Sequence, residues 1–506
     1  MRTTRVPGLR AFALSTALCA AMITPTPARA QGTGEVITKQ YNDGGVYIGT
    51  FLDGKQHGQG TYTLPNGYEY KGQWEHGEIR GKGVARYPNG SVYEGEFVAG
   101  KPHGFGRIVF ADGGTYEGDW EDGRITGNGI AIYANGVQYE GGFLNGLHHG
   151  VGTMKSPNGY VYQGEWANGV KEGEGTITYP DGSVYKGALK GGKRHGKGVL
   201  TRPDGLRYEG EWKDGQISGQ GRLTQPNGDV YEGAFLNGRR HGTGKVTYAN
   251  GDVYEGTFRD DMRHGQGTFT GADGYRYTGA WANGHIEGRG EVTYPDGSLY
   301  KGSFRNDLAD GQGRIVYPDG NSYEGEWKAG VIEGKGIARY GDGMVYEGSF
   351  RNARYHGFGI MTYPGGYRYE GEWKDGQRHG RGKATYGDGT VYEGDFVNGL
   401  REGLGTIRMP DGFTYTGEWK AGEIDGKGMA TYPNGDVYEG MFSKGRRQGQ
   451  GTMRYHSGQV QSGRWESGAF AGDSPETSPA DAPPETTPQA PASPETAETP
   501  PAGNGN

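Results

Sequence analysis

Apolar residues along this chain neither run together nor recur with helical spacing. They return as short alternations, in phase with a fixed period of 23 residues. The stretch Tyr93 to Thr115, YEGEFVAGKPHGFGRIVFADGGT, shows the pattern: Tyr at position 1, Gly at 3, Trp or Phe at 5, a turn ending in Gly at 8, Gly at 12 and 14, an apolar residue at 16 and often Tyr at 18. Turn residues fill positions 19 to 21, mostly as Pro-Asp/Asn-Gly. The opening Tyr recurs from Tyr47 to Tyr438 in seventeen steps of 23 without an insertion or deletion, giving eighteen full copies; a worn nineteenth keeps Gly463, Trp465 and Gly468. Asp-Gly and Asn-Gly pairs such as Asp122-Gly123 and Asn145-Gly146 suit two-residue hairpin turns, and Pro-Asp-Gly suits a type I turn with a left-handed Gly. Each repeat therefore supplies two strands of an antiparallel meander.

Counting back from the two turns gives a register. Across the first, position 5 is predicted to face 10, 3 to face 12 and 1 to face 14. Across the second, 16 faces position 1 of the next repeat, 14 faces 3 and 12 faces 5. Side chains alternate along a strand, so the rings, the glycines and the apolar residue share one face, while Glu at position 2 and mixed charges at 4 and 6 share the other. The predicted fold is all-β: an elongated, twisted and curved single-layer array of hairpins, apolar on one side and wet on the other.

All nine tryptophans (Trp74, Trp120, Trp166, Trp212, Trp281, Trp327, Trp373, Trp419, Trp465) occupy position 5, nearly alternating with Phe, and Phe258 next to Phe235 breaks the rhythm. In six of those nine repeats the residue expected across the turn is Ile: Ile79, Ile125, Ile217, Ile286, Ile332 and Ile424. An aromatic opposite a β-branched side chain is a favourable cross-strand pair, worth roughly 0.2 to 1 kcal/mol. Glycines opposite Tyr and Trp leave space for the rings to lie flat over the backbone, an architectural use of the 104 glycines.

The ends differ from the array. Arg2, Arg5 and Arg10 precede the apolar run Ala11 to Ile23, and Ala28-Arg29-Ala30 precedes Gln31, the layout of a secretory signal peptide over residues 1–30. The expected location is thus secreted or periplasmic after cleavage near Ala30. The one cysteine, Cys19, leaves with that segment. Residues 31–46 resemble the closing half of a repeat and serve as a capping strand, and the array then spans 47–472. From Asp473 to Asn506 the composition turns to Pro, Ala, Thr and Glu, with six acids and no bases, which predicts a disordered acidic tail. The precursor carries a formal charge of −7, with basic and acidic residues interleaved. That leaves no electrostatic footprint for nucleic acid.

The unit YEGEW-x-x-G-x-x-H-G-x-G closely resembles the MORN (membrane occupation and recognition nexus) repeat. Tyr116, Gly118, Trp120 and Gly123 match its front half; His103, Gly104 and Gly106 match its back half. The resemblance implies an extended sheet of hairpins acting as a scaffold, often self-associating and often near membranes.

Candidate chemistry is sparse. Eight of the twelve histidines sit at position 11 (His57, His103, His149, His195, His241, His264, His356, His379). Repeats about 10 Å apart place them too far from one another to share a metal ion, whose ligands lie about 2 Å away. The Gly-x-Gly strings have no following helix and are not phosphate loops. No Ser, His and Asp set departs from the period; His148-His149 and Asp260-Asp261 are the irregularities that would merit testing in a hydrolase. The expectation is a protein that is not an enzyme, with no cofactor, metal or small-molecule substrate. The informative feature is the aromatic stripe, which either packs on itself and its glycine floor or is covered by a second molecule. Its candidate interaction residues are Tyr70, Trp74, Tyr93, Phe97, Tyr116, Trp120, Tyr162, Trp166, Tyr208, Trp212, Tyr323, Trp327, Tyr369, Trp373, Tyr415 and Trp419. The partner is expected to be a protein or cell-envelope component, possible self-association included, with peripheral lipid contact or envelope glycan binding as alternatives.

Overall fold

The computed structural model describes residues 34–472. The signal-peptide reading of residues 1–30 and the disordered-tail reading of 473–506 lie outside the described residues. Those residues form 39 strands and no helix. The chain divides into two units, up to Pro180 and from Asp181. Within each, a strand pairs antiparallel with the strand before it and the strand after it. The first unit begins with Ile37–Gln40 paired to Val46–Leu52. The second ends with Ala469–Phe470 paired to Val460–Glu466.

The two loops take the forms their residues dictate. At positions 7 and 8, Ala99 (φ 47°) and Gly100 (φ 76°) are both left-handed, the signature of a type I′ turn, whose twist matches that of the strands it joins. At the second loop Gly113 is left-handed (φ 88°), its N–H donating to the Phe110 carbonyl (3.0 Å), while the Gly114 N–H donates to Asp112 Oδ1 (2.9 Å).

The register expected across the second loop is observed: Ile108 pairs with Tyr116, Gly106 with Gly118 and Gly104 with Trp120. Across the first loop it holds only at the turn. Phe97 pairs with Pro102, but Gly95 pairs with Gly106 and Tyr93 with Ile108, so position 3 faces 14 and position 1 faces 16, instead of 12 and 14. The cause is a bulge. Gly104 is left-handed (φ 65°), and one residue, Glu96, stands against three, His103 to Phe105. Because the shift is by two residues, no side chain changes face. Position 4 closes the bulge: Asp119 accepts the Asn128 N–H (2.8 Å), and Gln73 accepts the Lys82 N–H (2.8 Å).

The ring face forms the core. Tyr300 is buried at 1 % exposure and lies over Gly302 and Gly313. Its hydroxyl donates to the Ser303 carbonyl (3.1 Å), which settles its one polar atom locally. Edge-to-face contacts join it to Phe304 (5.1 Å) in its own repeat and Trp327 (5.2 Å) in the next, whose indole N–H donates to the Gly313 carbonyl (3.2 Å). The six predicted Trp/Ile partners all pair, from Trp74 with Ile79 to Trp419 with Ile424. Leu189, at the start of the second unit, is the one residue at position 5 that is not aromatic.

Neighbouring loops are tied by an exchange that the repeat leaves to individual copies. Asp229, Asp252 and Asp436, at position 22, accept the N–H of position 19 in the following loop, that of Ala249, Ala272 and His456 (2.8 to 2.9 Å). Asn321 does the same for Gly341 (2.9 Å). Where position 19 is proline, as at Pro295 or Pro318, the preceding position 22 is Tyr275 or Ser298. Proline has no N–H to give, and the acceptor is dispensed with.

Candidate interaction surface

The structure places the aromatic candidates inside the ring ladder. Tyr70, Tyr93, Tyr116, Tyr162, Tyr208, Tyr323, Tyr369 and Tyr415 are buried, as are Phe97, Trp74, Trp120, Trp166, Trp212, Trp373 and Trp419, none more than 7 % exposed. Trp327 alone is half-buried. Their covering is supplied by their own chain, the tyrosines lying over glycines and the tryptophans and phenylalanines set edge-on against them. Of the two arrangements open to the stripe, the self-packed one is what forms within each unit. The flat faces on which a glycan or acyl chain would stack are occupied. Burial also pushes the hydroxyl pKa of Tyr231 and Tyr254 up to about 12, with Arg240 and Arg263 pulling the other way.

Position 10 covers the rings from one side, and its occupants vary. Where Ile is absent, Arg194, Arg263 and Arg401 stack over Trp212, Trp281 and Trp419 at 4.1 to 4.3 Å. At the same position His148 stacks on Tyr139 (3.7 Å between centroids), and its Nε2 is 2.7 Å from the Tyr133 hydroxyl. Desolvation lowers its pKa to about 4, so it is neutral near pH 7. This irregularity is a core side chain. Asp261 is equally structural: it replaces the usual turn Gly (φ 71°) and accepts the Arg240 N–H (2.9 Å).

The histidines at position 11 face the next hairpin turn. His149 and His264 Nδ1 accept the N–H of Asn168 and Asn283 at 3.5 Å, and Glu287, Glu333 and Glu402 perform the same task where acid replaces His (2.8 to 3.1 Å). His195, His241 and His356 have Asp214, Asp260 and Asp375 at 3.6 to 3.9 Å. Among the described residues no group of three or more His, Cys, Asp or Glu is placed to hold one metal ion.

The open surface is the opposite face. There Phe105, Val151, Phe358 and Leu404 stand 56 to 70 % exposed at position 13, and Ile130 and Met429 stand about half exposed at position 15. Sequence reasoning passed over these residues because positions 13 and 15 are chemically mixed, with Gln, Lys, Arg and Thr in most repeats. The signal was available: position 13 lies between two glycine positions assigned to the ring face, so whatever stands there points out. Large apolar side chains exposed on a polar face are unusual where they cluster, and such clusters mark contact sites.

The MORN repeat model matches eighteen successive segments, from residues 47–67 to 438–460. No curated protein matches the chain. Similar solved structures include the TCP domain of SAS-4 (dCPAP) of Drosophila melanogaster in complex with a proline-rich motif of Ana2 (14 % identity, 40 % of this chain and 90 % of that one, TM-score 0.20). Two others are the G-box domain of the microcephaly protein CPAP (18 %, 44 % and 100 %, TM-score 0.18) and a streptogramin B lyase (11 %, 58 % and 90 %, TM-score 0.11). At these TM-scores the likenesses carry no argument.

Proposed function

This chain belongs to the MORN repeat family, and on that premise we propose that it is an exported, non-catalytic scaffold that holds a protein or cell-envelope component on the face opposite its rings. The observation that carries the reading is the exposure of Phe105, Val151, Phe358 and Leu404, with Ile130 and Met429, on a face whose other positions are mostly charged and polar. The buried rings supply rigidity, and position 13, free of any duty in the fold, supplies specificity. Export rests on the layout of residues 1–30, and the absence of catalysis on a uniform array in which the irregular side chains His148 and Asp261 have structural tasks.

Two measurements test this. Mass spectrometry of the protein recovered from its producing cell should give an N-terminus at Gln31; an intact Met1 start removes export from the reading. Photo-cross-linking residues at Phe105 in the first unit and at Phe358 in the second should each capture a discrete partner, while the same group at the loop residue Pro318 should not. Equal labelling at all three positions removes the docking face.

A further inference from the structure

A row of the open face in the second unit lacks the counter-charges found earlier in that unit. Successive strands of the second unit place Arg314 opposite Glu324, then Ile337, Glu347, Ile360, Glu370 and Lys383, each residue paired directly with the next. The equivalent row earlier in the same unit reads Glu209, Arg222, Glu232, Lys245, Glu255. There base alternates with acid, and Arg222 meets Glu232 at 3.1 Å. In the later row both intervening bases are replaced by Ile. Glu347, flanked by Ile337 and Ile360, is exposed and makes no ion pair or hydrogen bond among the described residues. Glu370 meets Arg368 at its side (2.6 Å), and Phe358 stands next to the row, 57 % exposed.

A position 4 acid has work at the bulge, as Asp395 in the next repeat shows by accepting the Leu404 N–H (3.3 Å). The position 2 acids have no such task at the bulge. The row is therefore a strip of carboxylates separated by isoleucines and closed at its ends by Arg314 and Lys383.

Spacing names the ligand. Equivalent carboxylates are two strands apart, about 9.6 Å at about 4.8 Å per strand. A polyproline II helix repeats every three residues at about 3.1 Å each, so the same face returns after about 9.3 Å. A β-strand ligand fails this match, since its third residue points the opposite way. We propose that the strip Glu324–Ile337–Glu347–Ile360–Glu370 binds a polyproline II segment of a protein partner, with Lys or Arg at every third residue on the carboxylates and apolar residues against the isoleucines. Charge sets aside the competing occupants. The chain's own Pro-rich tail from Asp473 has six acids and no bases, nucleic acid has the same sign as the strip, and a second copy would oppose Glu to Glu. The proposal rests on the docking-face reading above and specifies its partner.

The test is fluorescence anisotropy with the full chain and a labelled peptide of repeated Lys-Pro-Pro triplets. Controls are a peptide of the same composition with irregularly spaced lysines and one of Glu-Pro-Pro triplets. The expected result is salt-sensitive binding of the regular peptide alone, weakened about tenfold by Ile360→Lys, which recreates the arrangement at Lys245, and several-fold by Glu347→Gln. Arg222→Ile combined with Lys245→Ile, which opens the earlier row, should add a second site to the stoichiometry. Circular dichroism of each variant checks the sheet, and all the substitutions lie on the solvated face. No binding, equal binding of the irregular peptide, or affinity unchanged in both Ile360→Lys and Glu347→Gln overturns the proposal. Because the peptide is synthetic, these results are independent of whether cross-linking at Phe105 and Phe358 finds a partner.

Discussion

Replacing Gly313 by Ala tests the core directly. A Cβ there would lie 2.5 to 2.6 Å from Cζ and Cε2 of the Tyr300 ring, closer than carbon atoms approach, and backbone Gly313 has no room to retreat because its carbonyl holds the Trp327 indole. The ring must lift. A buried tyrosine covers about 150 to 250 Å², worth about 4 to 6 kcal/mol at full loss, and its edge contacts with Phe304 and Trp327 add about 0.5 to 1.5 kcal/mol each. Partial retention brings the net cost to about 3 to 5 kcal/mol, the range of an aromatic deleted from a core. The opposing gain from removing a strand glycine is only about 0.5 to 1 kcal/mol. Gly284→Ala is the matched control: its φ of 93° is strained for Ala, but no atom lies within 4 Å of the new Cβ, so the cost should stay near 1 to 2 kcal/mol. Hydrogen exchange in Leu299–Arg305 and Leu308–Val316 reads the effect locally, since a repeat array opens in pieces. Exchange there should accelerate by roughly two to four orders of magnitude in Gly313→Ala, at about 1.4 kcal/mol for each factor of ten. The decisive comparison is Tyr300→Ala combined with Gly313→Ala, which should cost little more than Tyr300→Ala alone because the clash has lost its second party. Additive costs, or a Gly313→Ala no worse than Gly284→Ala, would refute the flat-ring account.

Other outcomes follow from the same structure. The hydroxyls of Tyr231 and Tyr254 have pKa values pushed up to about 12, so the folded state holds protons that an unfolded chain releases near 10; stability is full below pH 10 and is lost as pH rises through 12, with tyrosinate absorbance appearing together with sheet loss rather than ahead of it. His148 has the opposite sign: held near 4 against an ordinary 6.5, it contributes stability that is present above pH 6.5 and lost as pH falls through 4, and His148→Ile should flatten that part of the acid unfolding curve by circular dichroism. Ala272→Pro should lower the denaturant midpoint by removing the N–H that Asp252 accepts, a loss of about 0.5 to 1.5 kcal/mol, whereas Ala272→Pro with Asp252→Ser should be close to neutral because it copies the pairing of Ser298 with Pro318.

Much of this was legible from turn residues alone. Asn145-Gly146 and its relatives dictate where strands reverse, and counting from them assigns every ring to its face. The bulge was not legible, because Gly104 reads equally well as floor for a ring and as the left-handed residue it is; both roles select glycine for different reasons. Nor was the burial of Trp74 or Trp419, since a sheet without a second layer gives no rule for what covers its apolar side. That depends on ring geometry, and the T-shaped interlock of Tyr with the aromatic of its own repeat and that of the next decides it, as Tyr70 with Trp74 and Phe97 or Tyr392 with Phe396 and Trp419. The exposed Phe358 and Leu404 escaped because attention to what recurs passes over what varies, and in a repeat the variable residues are those released from the fold.

The two-residue offset at each bulge limits how such a gene can change. Losing or gaining a single codon within a strand would turn the rest of that strand's ring-face residues toward water, whereas deleting or duplicating a whole 23-codon block leaves each join as it was. Unequal crossing-over between copies is thus invisible to the sheet, and the length of the protein is free to drift while its local geometry is not.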